Sequence, residues 1–134
     1  MPDHYFTQNP STEHNFQKFT YTIPKTRKVI KIRTDAGVFS KGKVDFGSNL
    51  LIESVEPSSG DKVLDIGCGY GVIGISLANK ANIELTMVDI NARAVELAKF
   101  NAESNEVKAN VYQSDGLSLV SGQFDIIVFN PPIR

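Results

Sequence analysis

The 134-residue sequence has one cysteine, two histidines and no tryptophan. A single thiol, Cys68, rules out an internal disulfide, and a reducing cytoplasm is the expected compartment. His4 and His14 lie in the polar opening stretch and form no H-x-x-x-H pattern, so no metal site is expected. No apolar run approaches the roughly 18–20 residues of a membrane span, and MPDHYFTQNPSTEH has no signal-peptide core. Repeats and low-complexity tracts are also missing. What remains, 41% hydrophobic and 22% charged residues, describes one globular domain.

The net charge is only −1, but it is unevenly spread. Residues 1–45 carry eight Lys/Arg against four acids, a net +4, which leaves −5 for residues 46–134. A basic segment beside an acidic domain suits a polyanion partner; a solvated hairpin face is the alternative.

Residues 1–16 read as a loose arm. Phe19–Ile23 and Val29–Arg33 alternate like strands around the turn Pro24-Lys-Thr-Arg-Lys28, which predicts a hairpin. Ser48 or Asn49 is placed to cap a short helix carrying Leu50, Leu51 and Val55, closed by Pro57 and Gly60. From Lys62 the pattern becomes α/β. Strands are expected at Val63–Ile66, Leu85–Val88, Asn110–Gln113 and Phe124–Phe129. Helices are expected from Val72 to Lys80 and from an Asn91 cap to Glu103, the latter with Ala94, Val95, Ala98 and Ala102 on one face. This alternation argues for a doubly wound parallel sheet. The expected division is an arm and hairpin over 1–46 and a cofactor-binding unit over 47–134.

Asp65-Ile-Gly67-Cys-Gly69-Tyr-Gly71 falls at the first strand-to-helix turn, where glycines let backbone approach a ligand. Gly69-Tyr-Gly71-Val-Ile-Gly74 also satisfies G-x-G-x-x-G. Asp65 argues against a dinucleotide, because a carboxylate at that strand end repels pyrophosphate and favours an ammonium group. A nucleoside with a cationic amino-acid end, such as S-adenosylmethionine, fits better. Asp89 ends the second strand, where an acid accepts from ribose hydroxyls. Asp115, after the third strand, is placed to accept from an adenine amine. Ligands of open α/β sheets bind at these carboxyl ends.

Val63–Gly71, Val88-Asp89, Ser114-Asp115 and Asn130-Pro-Pro132 together resemble the class I S-adenosylmethionine-dependent methyltransferases. Asn-Pro-Pro narrows the resemblance to amino-group methyltransferases. His4-Tyr-Phe6, Gly37-Val-Phe-Ser40, Val44-Asp-Phe-Gly-Ser48, Leu50-Leu51 and Asn130–Arg134 are similar to the short-form RsmC-type small-subunit ribosomal RNA guanine-N2 methyltransferases.

The resemblance implies a Rossmann-like sheet of seven strands in the order 3-2-1-4-5-7-6, of which four are accounted for. The chain is therefore expected to be a C-terminally shortened member that keeps the cofactor half. It implies cofactor binding by Asp65, Gly67, Gly69, Gly71, Asp89, Ile90, Asp115 and Gly116, and catalysis by Asn130, Pro131 and Pro132. The Asn130 side-chain oxygen and Pro131 carbonyl would accept from the substrate amine, with the prolines fixing the backbone. Phe39, Ile133, Arg134, Lys25, Arg27 and Lys28 are the candidate substrate contacts. Many relatives have an aromatic residue where this chain has Ile133, which allows apolar contact with a flipped base but no stacking. Ribosomal RNA or the small ribosomal subunit is the expected partner. A homodimer through an exposed fourth strand is expected from its apolar edge. Adenine or glutamine methylation, a nicotinamide-dependent oxidoreductase and a non-catalytic cofactor-binding fragment are the alternatives.

Overall fold

The computed structural model describes residues 14–35 and 44–131. β1 (Gln17–Thr22) and β2 (Val29–Thr34) form an antiparallel hairpin, in register from Gln17↔Thr34 to Thr22↔Val29. After α1 (Phe46–Ser54) come β3 (Lys62–Ile66), α2 (Val72–Ala78), β4 (Glu84–Asp89), α3 (Ala92–Ser104), β5 (Ala109–Gln113) and β6 (Ile126–Phe129). The last four strands form a parallel sheet in the order β5-β4-β3-β6. This is the 3-2-1-4 arrangement implied by the family resemblance, preceded by the expected hairpin.

The helices follow their local chemistry. Asn91 caps α3 as predicted, its side chain accepting from the Ala94 amide at 3.1 Å. Ala94, Val95, Ala98 and Ala102 are buried against the sheet. The C-terminal end of α1 is closed by a distant lysine: Lys80 Nζ donates to the Ile52 carbonyl (2.7 Å), the Val55 carbonyl (2.6 Å) and Glu56 Oε1 (3.1 Å). A cation at a helix C-terminus satisfies orphan carbonyls and complements the dipole.

The hairpin is attached through an unusual edge. Residues 31 and 33 of β2 turn their backbone groups away from β1, towards α3. Asn101 Oδ1 accepts from the Arg33 amide (2.9 Å) and its Nδ2 donates to the Arg33 carbonyl (3.0 Å). Asn105 does the same for Lys31, accepting at 3.0 Å and donating at 2.8 Å. Two residues along a strand span roughly 6.6 Å, close to the rise over one helical turn, so asparagines four apart match the strand. They act as a substitute strand and remove an open edge. Arg33 lies between Phe16 and Phe100, 5.0 and 4.0 Å from their centroids.

Three expectations are corrected here. α1 begins at Phe46 with Asp45 in the N-cap position, not at a Ser48 or Asn49 cap, because the side chain of Ser48 is engaged elsewhere. The last strand begins at Ile126. Asp125 instead anchors its start, with Oδ2 accepting from the Lys62 amide at 2.7 Å. Residues 14–16 are held in place: His14 and the Asn15 amide bond the Asp35 carboxylate, and His14 stacks on Phe16.

Candidate active site

The carboxyl ends of β3, β4 and β6 converge on the glycine loop. Gly71 adopts φ +96° at the start of α2, a conformation a side chain disfavours, and a Cβ there would approach Ile75 and Ala98. Gly74 serves the close contact of α2 with the sheet, since a Cβ would lie 2.8 Å from Met87 Sδ and 3.0 Å from Leu85 Cδ1. The loop is tied down from two sides. Gly69 N donates to Asp89 Oδ2 at 2.8 Å, and Asn101 Nδ2 donates to the Tyr70 carbonyl at 2.7 Å.

The acids differ in environment. Asp65 is 1% exposed; its Oδ2 accepts from the Gly74 amide at 3.1 Å, while its Oδ1 is buried with no hydrogen-bond partner. Burial pushes the Asp65 carboxyl up to about 7; the Gly74 amide opposes the shift and the nearby Asp89 carboxylate adds to it. Asp89 is also buried, but both its oxygens accept from backbone, Oδ2 from Gly69 and Oδ1 from the Asn91 amide at 2.9 Å. Ile90 follows it, with its carbonyl accepting from Gln113 Nε2. Asp115 and Gly116 are exposed on a turn shaped by buried Ser114, whose Oγ donates to the Gly116 carbonyl and accepts from the Leu119 amide. Burial, with Asp65 and Asp89 close by, drives the Cys68 thiol well above its ordinary range, which makes it an unsuitable nucleophile.

Parallel pairing of β6 with β3 sets Phe129 opposite Ile66, so Asn130 and Pro131 emerge beside the start of the glycine loop. Phe129 covers Gly67, where a Cβ would lie 3.5 Å from its ring. The Asn130 amide donates to Ser48 Oγ at 2.8 Å and to Asp45 Oδ2 at 3.3 Å. Pro132, Ile133, Arg134 and Phe39 lie outside the described residues.

In the basic turn expected to contact substrate, Lys28 packs against the end of α2. Lys28 Nζ donates to the Asn79 carbonyl at 2.7 Å, at the C-terminal end of α2. That end of α2 lies at the amino end of the sheet, so Lys25, Arg27 and Lys28 are away from Asn130. Sequence reasoning also missed Asp45, Gly47, Asn101 and the structural use of Gly74. The pair Asn101 and Asn105, four apart beside an apolar helix stripe, was an available signal.

The methyltransferase small domain model matches residues 29–134. The chain belongs to this family. The uncharacterised protein YbxB of Bacillus subtilis is 45% identical over all of this chain, which covers 68% of its length. Ribosomal RNA small subunit methyltransferase C of Klebsiella pneumoniae is 41% identical over 78% of the chain. The chain covers 31% of that relative. A solved Thermus thermophilus 16S rRNA N2 G1207 methyltransferase, RsmC, in complex with AdoMet and guanosine superposes with a TM-score of 0.82 and 32% identity. It matches 93% of this chain, which covers 35% of that one. The chain thus spans about a third of the length of the RsmC relatives it matches.

Proposed function

We propose that this chain directs methylation of the exocyclic N2 amine of a guanine in small-subunit ribosomal RNA. The methyl donor is S-adenosylmethionine, which supplies an electrophilic methyl group on a sulfonium when bound. The residues suit it: Asp65 Oδ1, buried and without a partner, is an acceptor for the ammonium of the donor's amino-acid end. Asp89 ends β4 and is tied to the glycine loop through Gly69, the position where an acid of an open α/β sheet meets ribose hydroxyls. Asp115 stands exposed beyond β5, available to the adenine amine.

The observation that carries the reading is the β3–β6 register, which brings Asn130-Pro131 beside the glycine loop. A guanine N2 is a weak nucleophile because its lone pair is delocalised into the ring. Two acceptors aimed at its hydrogens, Asn130 Oδ1 and the Pro131 carbonyl, favour a pyramidal nitrogen and stabilise its developing positive charge. In-line placement of amine and methyl then supplies much of the remaining catalysis. No strong base is needed before attack, because the nitrogen sheds its proton to water once the new N–CH3 bond has made it acidic.

Transfer of labelled methyl from S-adenosylmethionine to small-subunit RNA tests this reading. Incorporation should depend on the chain and fall at least tenfold in Asn130→Ala, with cofactor affinity held within a few fold. Full incorporation by Asn130→Ala would remove the acceptor role.

A further inference from the structure

We infer that Asp45, Gly47 and Ser48 are positioning residues that set the orientation of the Asn130 amide. The inference rests on the acceptor role proposed for Asn130 and adds what fixes it. Asp45 occupies the N-cap of α1, and Ser48 lies three residues on. Aspartate at an N-cap ordinarily accepts from an amide of the first turn. Here it makes no such bond. The Asp45 carboxylate and the Ser48 hydroxyl instead meet Asn130, 85 and 82 residues away in sequence. A helix start that gives up its own cap in favour of a distant side chain departs from local preference, as expected where function sets the geometry.

The bonding also decides which way the amide faces. A carboxylate oxygen only accepts, so the nitrogen of Asn130 must face Asp45. Ser48 Oγ, 94% buried as a residue, accepts from the same nitrogen. Both donor positions are thereby taken up, and Oδ1 has no donor among the described residues. That oxygen sits over Gly47, where a Cβ would lie only 2.7 Å away. Gly47 therefore keeps clear the space beside the side-chain atom proposed to receive the substrate amine. Its backbone is ordinarily helical, so the glycine is explained by this approach and not by a turn.

Gly47→Ala is the most informative variant. Alanine favours the helix over glycine, so melting temperature should stay or rise while the Asn130 side chain is displaced. Methyl transfer to small-subunit RNA should fall about tenfold to hundredfold in kcat, with cofactor affinity unchanged. Ser48→Ala should lower kcat similarly, and Ser48→Thr, which restores the hydroxyl, should recover most of it. A second readout needs no turnover. In chain carrying 15N-labelled asparagine side chains, the Asn130 amide signals should shift in Gly47→Ala and Ser48→Ala, and return towards wild type in Ser48→Thr. Unchanged Asn130 signals in both variants would overturn the inference. So would wild-type kcat in both alongside an inactive Asn130→Ala. Full turnover by Asn130→Ala would instead overturn the acceptor role itself, with the amide signals still deciding whether Asp45, Gly47 and Ser48 orient the group.

Discussion

Asn101 and Tyr70 are joined by a 2.7 Å hydrogen bond, from the side-chain nitrogen of a fully buried asparagine on α3 to a carbonyl inside the glycine loop. The same asparagine holds both backbone groups of Arg33 in the hairpin. One side chain therefore ties the hairpin to the loop expected to hold the cofactor.

Replacing Asn101 with Ala removes three hydrogen bonds, two to the Arg33 backbone and one to the Tyr70 carbonyl. Each lost hydrogen bond is worth roughly 0.5–1.5 kcal/mol net, so a loss of about 2 kcal/mol or more is expected. Cofactor affinity should fall with it, because the loop loses an anchor. Chemical denaturation of Asn101→Ala with an unchanged midpoint would contradict this link.

Asp65 gives the chain a pH dependence of definite sign. Its carboxyl rises from an ordinary 3.8 to about 7 in the folded chain. Between those values the folded state holds a proton that the unfolded state has lost. Stability of the ligand-free chain should therefore fall as pH rises through that window, by on the order of a few kcal/mol, and level off above about 7. An ammonium ligand favours the ionised form, so affinity for S-adenosylhomocysteine should weaken below about pH 7. Asp65→Asn should flatten both curves, raise ligand-free stability near neutral pH and weaken binding. Parallel pH profiles in wild type and variant would contradict the assignment.

Gly74→Ala tests the contact of α2 with the sheet. Alanine improves helix propensity by about 1 kcal/mol, but its Cβ meets buried Met87 and Leu85. Overpacking of this kind costs roughly 1–3 kcal/mol, so a net loss and a melting temperature lower by a few degrees are expected. A stabilised variant would show that the interface yields.

β6 is an edge of the sheet among the described residues, and Ile127 and Phe129 are 55% and 57% exposed on it. Strand-to-strand pairing of two copies is the expected consequence. Sedimentation at micromolar concentration should show a dimer that Ile127→Lys dissociates; a monomer in the unsubstituted chain would contradict it.

Elements with strong local signals were legible in the sequence. The Asn91 cap, the alanine stripe of α3 and the four strand cores depend on periodicity and neighbours. The pairing order followed only from the family resemblance. The start of α1 was not legible, because Ser48 and Asp45 serve a residue more than eighty positions away. Lys28 read as part of a basic face for a polyanion, and its hydrogen bond to the Asn79 carbonyl was not legible. Nothing local distinguishes a solvated lysine from one that caps a distant helix. Asn101 and Asn105 read as the polar flank of a helix, and only the packed hairpin reveals them as strand partners.

The most direct test of the central claim identifies the atom that receives the methyl group. Small-subunit RNA treated with the chain and isotopically labelled S-adenosylmethionine can be digested to nucleosides and analysed by mass spectrometry. The account predicts the label in N2-methylguanosine, and its loss in Asn130→Ala. Label confined to methylated adenosine, or to protein with none in guanosine, would contradict it.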